Sequence, residues 1–216
     1  MLGVDHTVIE SVTVEGAEGA ETVVVKVRPT ASRRRWCSKC GLSAPGYDSG
    51  DGRRRWRALD LGTVIVELEA DAPRVCCGFD GVVVAAVPWA RAGSRFTTSF
   101  EQTCAWLAAN ASGSAVAELL RVTWRSVTAI VERVVADALA GSDRLDGVTR
   151  VGIDEIAHRK GHRYLTAVTD HDTGRLIWAA PGRSQAVVEA FFDALGAERS
   201  AKISHVSADG AEWIHA

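Results

Sequence analysis

The sequence predicts an α+β fold in several domains, and three observations support this prediction. Apolar and polar residues alternate over the first ninety residues, apolar residues recur at helical spacing in the middle, and the end follows a strand–strand–strand–helix–strand order. We therefore expect a small β-rich module at 1–92, a helical region at 97–140 and an α/β domain at 148–216. The 216 residues are 47% hydrophobic, which is enough for packed cores.

Short strands account for the β-rich module. Alternation of apolar residues predicts two of them, at residues 7–10 and 21–27, and the apolar runs at 63–69 and 82–87 predict two more. Pro88 and Gly93 then mark the end of the module, because both residue types interrupt regular structure.

Three helices are predicted in the middle of the chain, at residues 97–110, 114–120 and 124–139. Two helices across a turn as short as 121–123 are typical of a helix-turn-helix. The second of the two would present Thr123, Arg125 and Ser126 to the major groove of DNA. An ordinary helical hairpin in a globular core has the same spacing, and the sequence leaves both interpretations open.

The predicted α/β domain contains two aspartates that are candidate metal ligands. Its predicted elements are strands at 150–157, 163–169, 175–180 and 203–208, with a helix at 184–195 before the last strand. If the last strand returns parallel to the first, Asp209 lies beside Asp154. Asp154 sits in an apolar strand, where an unpaired carboxylate is costly to bury, so we expect a cation to compensate it. Two adjacent carboxylates suit Mg²⁺ and phosphodiester chemistry. The alternative is a hydrogen-bonded Asp154 and a simple turn at Asp209.

The cysteines indicate a zinc site. Cys37-Ser-Lys-Cys40-Gly is a knuckle that presents two thiolates to one ion, and Cys76-Cys77 with Asp80 provides a second group of donors. Asp80 is unusual because Cys or His is expected at that spacing, although oxygen also ligates zinc. A decayed zinc site, or reduced cysteines in a small core, remains the alternative.

Basic residues are concentrated in one stretch of a chain whose net charge is −2. Between residues 31 and 57, eight arginines and lysines stand against Asp48 and Asp51. A local basic patch on a mildly acidic protein is typical of a modular DNA-binding protein. We therefore predict DNA contacts from Arg33, Arg34, Arg35, Arg53, Arg54 and Arg55. Solvated loops would show the same charge pattern.

Nothing in the sequence predicts export or membrane insertion. The first ten residues include Asp5 and Glu10, and the longest apolar stretch, 81–90, is far shorter than the roughly 20 residues that span a bilayer. We expect a cytoplasmic, nucleoid-associated protein with no membrane partner, whose thiols are reduced or bound to metal.

The order of these features resembles the ISL-three family of bacterial insertion-sequence transposases. That family has an N-terminal zinc finger, a helix-turn-helix and an RNase H-like catalytic domain of the Asp-Asp-Glu kind. The resemblance covers nearly the whole chain, and its main stretches are Trp36–Gly41, Pro73–Cys77, Val87–Thr97, Ala115–Leu120, Gly152–Glu155, Arg159–Tyr164, Asp170–Gly174 and Val206–Gly210.

The resemblance implies roles for the candidate residues. Asp154 and Asp209 would be the first two members of the catalytic triad and would hold Mg²⁺ or Mn²⁺, and the cysteines at 37, 40 and 77 would bind Zn²⁺. Asp80 departs from the family pattern. The third carboxylate is expected beyond Ala216, which implies an incomplete RNase H-like domain and no strand cleavage by this chain alone.

Three functions follow as hypotheses. The first is a transposase fragment that binds the terminal inverted repeats of its element as double-stranded DNA, as a homo-oligomer on DNA. The second is a DNA-binding remnant without enzymatic activity that represses transposition. The third is a zinc-stabilised structural module with no affinity for DNA; binding that weakens steeply with salt would exclude it.

Overall fold

The computed structural model describes residues 4–159, 161 and 163–208. The chain forms two compact units, Met1–Ala136 and Asp137–Ala216. Both contain strands and helices, which confirms the predicted α+β class.

Seven strands and three helices form the first unit. The strands are β1 (Thr7–Glu15), β2 (Thr22–Pro29), β3 (Gly46–Asp48), β4 (Arg53–Arg57), β5 (Ile65–Asp71), β6 (Arg74–Cys77) and β7 (Gly81–Val84). The helices are α1 (Thr98–Asn110), α2 (Gly113–Leu119) and α3 (Trp124–Leu139), and a short 3₁₀ helix covers Ala31–Arg33. The predicted helix bounds agree with these to within one residue. The strands β3, β4 and β6 were not predicted.

The larger sheet of this unit has the strand order β1-β2-β5-β4. Its β2 and β5 are parallel and its other neighbours antiparallel. Side chains alternate along β5, so that Val66, Leu68 and Ala70 are buried. They pack with Trp56 and Trp89, whose rings meet edge to face at 5.6 Å between centroids. The opposite side of β5 carries carboxylates that pair with arginines of β4.

The smaller sheet has the order β3-β6-β7 and a separate apolar cluster. Cys37, Val75, Cys77 and Ala85 are buried in this cluster. Because two cysteines take part in its packing, the fold of the smaller sheet and the candidate metal centre depend on each other.

The three helices pack around a third core. Phe100 and Cys104 of α1 contact Val116 of α2 and Ile130 of α3, and all four side chains are buried. The Thr97 hydroxyl accepts a hydrogen bond from the backbone N–H of Phe100 and so caps α1. The apolar stripe that predicts these helices is therefore their shared interior.

Two polar contacts connect the helices to neighbouring segments of the first unit. The side chain of Glu101 is completely buried and accepts hydrogen bonds from Arg91, Ser94 and Arg133. In the turn between α2 and α3, the Arg121 guanidinium pairs with Asp60 and donates to the carbonyl of Thr63 at 2.9 Å. Glu101 thus connects α1 and α3 to the segment that precedes α1, and Arg121 connects the turn before α3 to the segment between β4 and β5.

Asp60 predicts a measurable pH dependence of stability. Burial would raise the pKa of Asp60, but hydrogen bonds from Arg57 and Arg121 outweigh it and hold the pKa below its usual value. A carboxylate whose folded pKa is depressed stabilises the protein above its unfolded pKa of about 3.9, and this stabilisation is lost as the pH falls through the folded pKa. We expect Asp60→Asn to lower the free energy of unfolding by about 1–2 kcal/mol at neutral pH.

Urea denaturation as a function of pH tests this expectation. The difference between wild type and Asp60→Asn should shrink as the pH falls below about 4, because the unfolded chain then gains a proton at Asp60 whereas the folded chain gains it only at a still lower pH. Asp51→Asn, at an exposed position, is the matched control and should change little. A difference that stays constant into acid would contradict the role given to the Asp60 charge.

The second unit is a four-stranded sheet with helices. Its elements are β8 (Arg150–Arg159), β9 (Arg163–Asp170), β10 (Leu176–Pro181), α4 (Gln185–Leu195), α5 (Ala197–Ser200) and β11 (His205–Ala208). The strand order is β10-β9-β8-β11, and β11 runs parallel to β8. Phe191 and Leu195 of α4 pack with Val151 and Ile153 of β8. The predicted topology is confirmed, with α5 as an unpredicted addition.

No helix in the described part of the chain combines the length and apolar character needed to cross a bilayer.

Candidate metal centre and nucleic-acid interface

The four predicted zinc-ligating side chains meet at one point. The ligand atoms of Cys37, Cys40, Cys77 and Asp80 all lie within 4.8 Å of one another. The sulfurs of Cys40 and Cys77 are 3.5 Å apart, and Asp80 Oδ2 is 3.2 Å from Cys37 Sγ and 3.6 Å from Cys77 Sγ. A tetrahedral ion bonded to sulfur at 2.3 Å separates two sulfurs by roughly 3.8 Å. The donor set therefore fits Zn²⁺ with only small side-chain movements.

Two tight turns bring these residues together. In the first turn, the Gly41 backbone N–H donates to the carbonyl of Cys37 and Gly41 has a φ of 71°. In the second, between β6 and β7, Gly81 has a φ of 70°. Glycine adopts this left-handed conformation without the clash that a Cβ would cause. Each turn thus folds its two donor residues onto the same side.

The polar groups around the cluster shift the pKa values of its side chains in different directions. The Leu42 backbone N–H lowers the pKa of Cys40, but burial and hydrogen bonds within the cluster outweigh it and raise this pKa to about 12. The backbone N–H groups of Phe79 and Asp80 lower the pKa of Cys77, and the Cys37 thiol lowers that of Asp80. Because metal binding requires thiolates, an ion here displaces protons and binds more weakly in acid.

The remaining two cysteines lie outside the cluster. Cys76 is exposed although it directly precedes Cys77, because consecutive residues of β6 point to opposite faces of the sheet. Cys104 is buried in the helical core. Of the pair Cys76 and Cys77, only the second belongs to the candidate metal centre.

The predicted DNA-contacting arginines fall into two groups. Arg34 and Arg35 are exposed beside the 3₁₀ helix, and Arg33 stacks on the ring of Trp36 at 3.9 Å. By contrast, Arg53 and Arg55 of β4 pair with the carboxylates of Glu69 and other acids of the sheet. These ion pairs neutralise much of the positive charge of β4, which the sequence alone did not indicate.

The start of α3 has the exposure expected of a recognition helix. Thr123, Trp124 and Arg125 are exposed immediately before and at the first turn. The hydroxyl of Thr123 accepts a hydrogen bond from the Ser126 backbone N–H at 3.2 Å, so this side chain caps the helix. Arg125 makes no ion pair within the described residues and is free to contact an external partner.

Asp154 differs from its sequence-based description. It is exposed, whereas its neighbour Ile153 is buried against α4, because successive side chains of a strand point to opposite faces. Our expectation that a cation must compensate the burial of Asp154 is therefore wrong. One of its carboxylate oxygens accepts the backbone N–H of Glu155 at 2.8 Å.

Asp209 lies outside the described residues. The strand that leads to it is described, and Ala208 at its end pairs with Ile153, the residue before Asp154. The structure thus supplies the parallel pairing of β8 and β11 on which the prediction of neighbouring aspartates depends.

Comparison with protein families gives three matches in chain order. Residues 33–78 match the zinc-finger of transposase IS204/IS1001/IS1096/IS1165, residues 85–135 match the helix-turn-helix domain of transposase family ISL3, and residues 151–216 match the ISL3 transposase domain of the DDE type. Among individual proteins, the transposase for insertion sequence element IS1557 is 54% identical over 218 residues in two strains of Mycobacterium tuberculosis. The alignment covers 99% of this chain and 49% of that transposase.

A more distant relative gives the same picture. The transposase for insertion sequence element IS1001 of Bordetella parapertussis is 27% identical over 189 residues, which cover 87% of this chain and 46% of that protein. The chain thus spans about half the length of the curated relatives it matches. No solved structure matches the chain.

Proposed function

Because this chain belongs to the ISL3 family of transposases, we propose that it acts in DNA transposition. In this proposal it binds the terminal inverted repeats of its element as double-stranded DNA and assembles into a homo-oligomer there. In an intact transposase of this family, the aspartates at 154 and 209 would contribute, with a third carboxylate, to a metal-dependent site that cleaves and joins DNA.

The exposed start of α3 is the observation that supports DNA binding most strongly. The two helices of the motif are capped, and their apolar side chains pack in a shared core. Arg125 projects from the first turn of α3 and has no ion-pair partner among the described residues. Arginine at this place of a helix-turn-helix can donate two hydrogen bonds to a guanine edge. A helical hairpin that served packing alone would not need this residue.

Zinc is the ion that the Cys37, Cys40, Cys77 and Asp80 set fits best, since soft sulfur donors in a tetrahedral arrangement favour it. No open coordination position remains once all four donors bind, so its role is structural. The ion would hold together the two turns that carry its ligands.

Magnesium or manganese is proposed for the second unit. Asp154 is exposed and accepts one local hydrogen bond, so it has lone pairs available for a hard cation. A divalent ion bound by paired carboxylates stabilises the charge that develops on phosphodiester oxygens. In this proposal, β8 holds the carboxylate of Asp154 on the face of the sheet opposite α4, next to the end of β11.

Arg125→Ala tests the recognition role of α3. We expect it to weaken binding to a duplex carrying the terminal repeat of the element by roughly tenfold or more, as the loss of a bidentate base contact does. The measurement is fluorescence anisotropy at fixed ionic strength. Arg28→Ala, on β2 in the same unit, removes the same charge from a pair with Glu10 and should bind like the wild type. Equal affinities of the Arg125 variant and the wild type would contradict the proposal.

A further inference from the structure

An open cleft lies between the edge strand β4 and the turn that precedes α3. Its volume is about 560 Å³, and five arginines and one carboxylate line it. Two of the arginines, Arg95 and Arg121, lie outside the basic stretch that the sequence draws attention to, and the carboxylate is Glu67. Residues that are distant in sequence thus form one concave surface rich in arginines.

The carboxylates near the cleft do not neutralise all of its positive charge. Asp60 is shared between Arg57 and Arg121, and Arg55 pairs with Glu67 and two other acids. Arg95 is exposed and makes no ion pair within the described residues. Arg54 also lacks a carboxylate partner there and lies 5.7 Å from the ring centroid of Trp56. At least two guanidinium groups are therefore available to an external anion.

One nitrogen of the Arg57 guanidinium group also lacks a hydrogen-bond acceptor within the part of the chain that the structure describes. Its Nη1 atom donates to the carbonyl of Ala58 and pairs with Asp60, whereas its Nη2 atom is buried without a hydrogen-bond partner among the described residues. A buried donor without an acceptor is destabilising. An anionic oxygen in the cleft would supply that acceptor after a small movement of the side chain.

The cleft is continuous with the helix-turn-helix. Val122, two residues before the first residue of α3, is part of its lining. Arg121 has a φ of 54°, a left-handed conformation that is costly for a residue with a Cβ and that glycine would adopt freely. The side chain at this position contacts Asp60 and Thr63, so the strained turn is held against the β-rich part beside the cleft.

We propose that this cleft binds a backbone phosphate of duplex DNA, immediately beside the groove that α3 enters. The proposal rests on the DNA-binding function proposed above. Guanidinium groups are suited to phosphate oxygens because they offer several N–H donors in a fixed fork. Phosphate contacts set the position and register of a protein on DNA, while base contacts specify the sequence. Arg95 is the main contact, and the Arg121–Asp60 pair keeps its surroundings in place.

Arg95→Ala, in the full chain, tests the inference. The contact is independent of sequence, so the probe is a fluorescent duplex of random sequence, and the affinity is measured over a range of salt concentrations. Each lost phosphate contact makes the slope of log K against log salt shallower by about 0.9. We expect that change for Arg95→Ala, with affinity lower by roughly three- to tenfold at low salt. Arg28→Ala should leave the slope as in the wild type.

Each other outcome overturns the inference in a distinguishable way. If the wild type binds the duplex and Arg95→Ala binds with the same slope and affinity, the cleft does not contact DNA, although the proposed function stands. An equal loss in Arg28→Ala would reduce the effect to net charge. Competition by inorganic phosphate far beyond that of chloride at equal ionic strength would make free phosphate the ligand. If the wild type shows no salt-dependent DNA binding, the proposed function fails too.

Discussion

Replacing Cys77 by serine is expected to abolish zinc binding and to unfold the smaller sheet of the first unit. Cys77 is 5% exposed and packs in the same cluster as Cys37 and Val75, so its thiol belongs both to the core and to the candidate metal centre. Three donors with one weak hydroxyl bind zinc poorly, and the binding energy of a structural zinc ion, about 10–16 kcal/mol, is folding energy for its module. We expect the wild type to hold one zinc ion per chain and this variant to hold none.

The adjacent cysteine gives the matched control. Cys76→Ser makes the same chemical change one residue away, at an exposed position outside the cluster, and should retain one zinc ion and the wild-type thermal stability. Metal content is measured by atomic emission after gel filtration, and folding by hydrogen exchange of β6 and β7. Stoichiometric zinc in Cys77→Ser, or loss of zinc from both variants, would refute the assignment of the ligands.

Periodicity along the chain predicted the elements whose burial is determined locally. The helices α1 to α3 and the sheet of the second unit follow from apolar residues at spacings of three, four or two. The parallel return of β11 beside β8 was also predicted, because few topologies connect three antiparallel strands and a helix to a fourth strand. Likewise, the spacing of the cysteines and Asp80, together with the family resemblance, identified the four donors that lie together.

Charged residues in tertiary contacts were not predictable in the same way. The run Arg53 to Arg57 was interpreted as part of a DNA-contacting basic patch, with a solvated loop as the alternative. It is an edge strand in which Arg53 and Arg55 pair with carboxylates of β5. Arg95 and Arg121 become neighbours only through the packing of the helices on the strands. The position of Asp154 was misjudged for a related reason, since an apolar strand can bury one face and expose the other. Each case depends on which side chain lies opposite, and local sequence does not contain that information.

The ion pairs of Glu101 also form only in the tertiary fold. We expect Glu101→Gln to lower the free energy of unfolding of the first unit by about 3 kcal/mol. Its side chain is 0% exposed, with Oε1 accepting from Ser94 and Arg133 and Oε2 accepting from Arg91. Glutamine keeps the volume, so no cavity forms. It replaces one acceptor with an N–H₂ donor and removes the charge that the two guanidinium groups face. Urea denaturation followed by circular dichroism measures the change.

The same substitution should also weaken DNA binding, because Glu101 joins α1 to the side chain of Arg133 on α3. The control is Glu118→Gln on α2, an exposed position where we expect a change within about 0.5 kcal/mol. If the carboxylate only filled space, Glu101→Gln would match this control in both stability and DNA affinity. A large loss of stability together with weaker binding, measured under conditions where the variant is still folded, would instead identify the buried carboxylate as the group that holds α3 in its orientation.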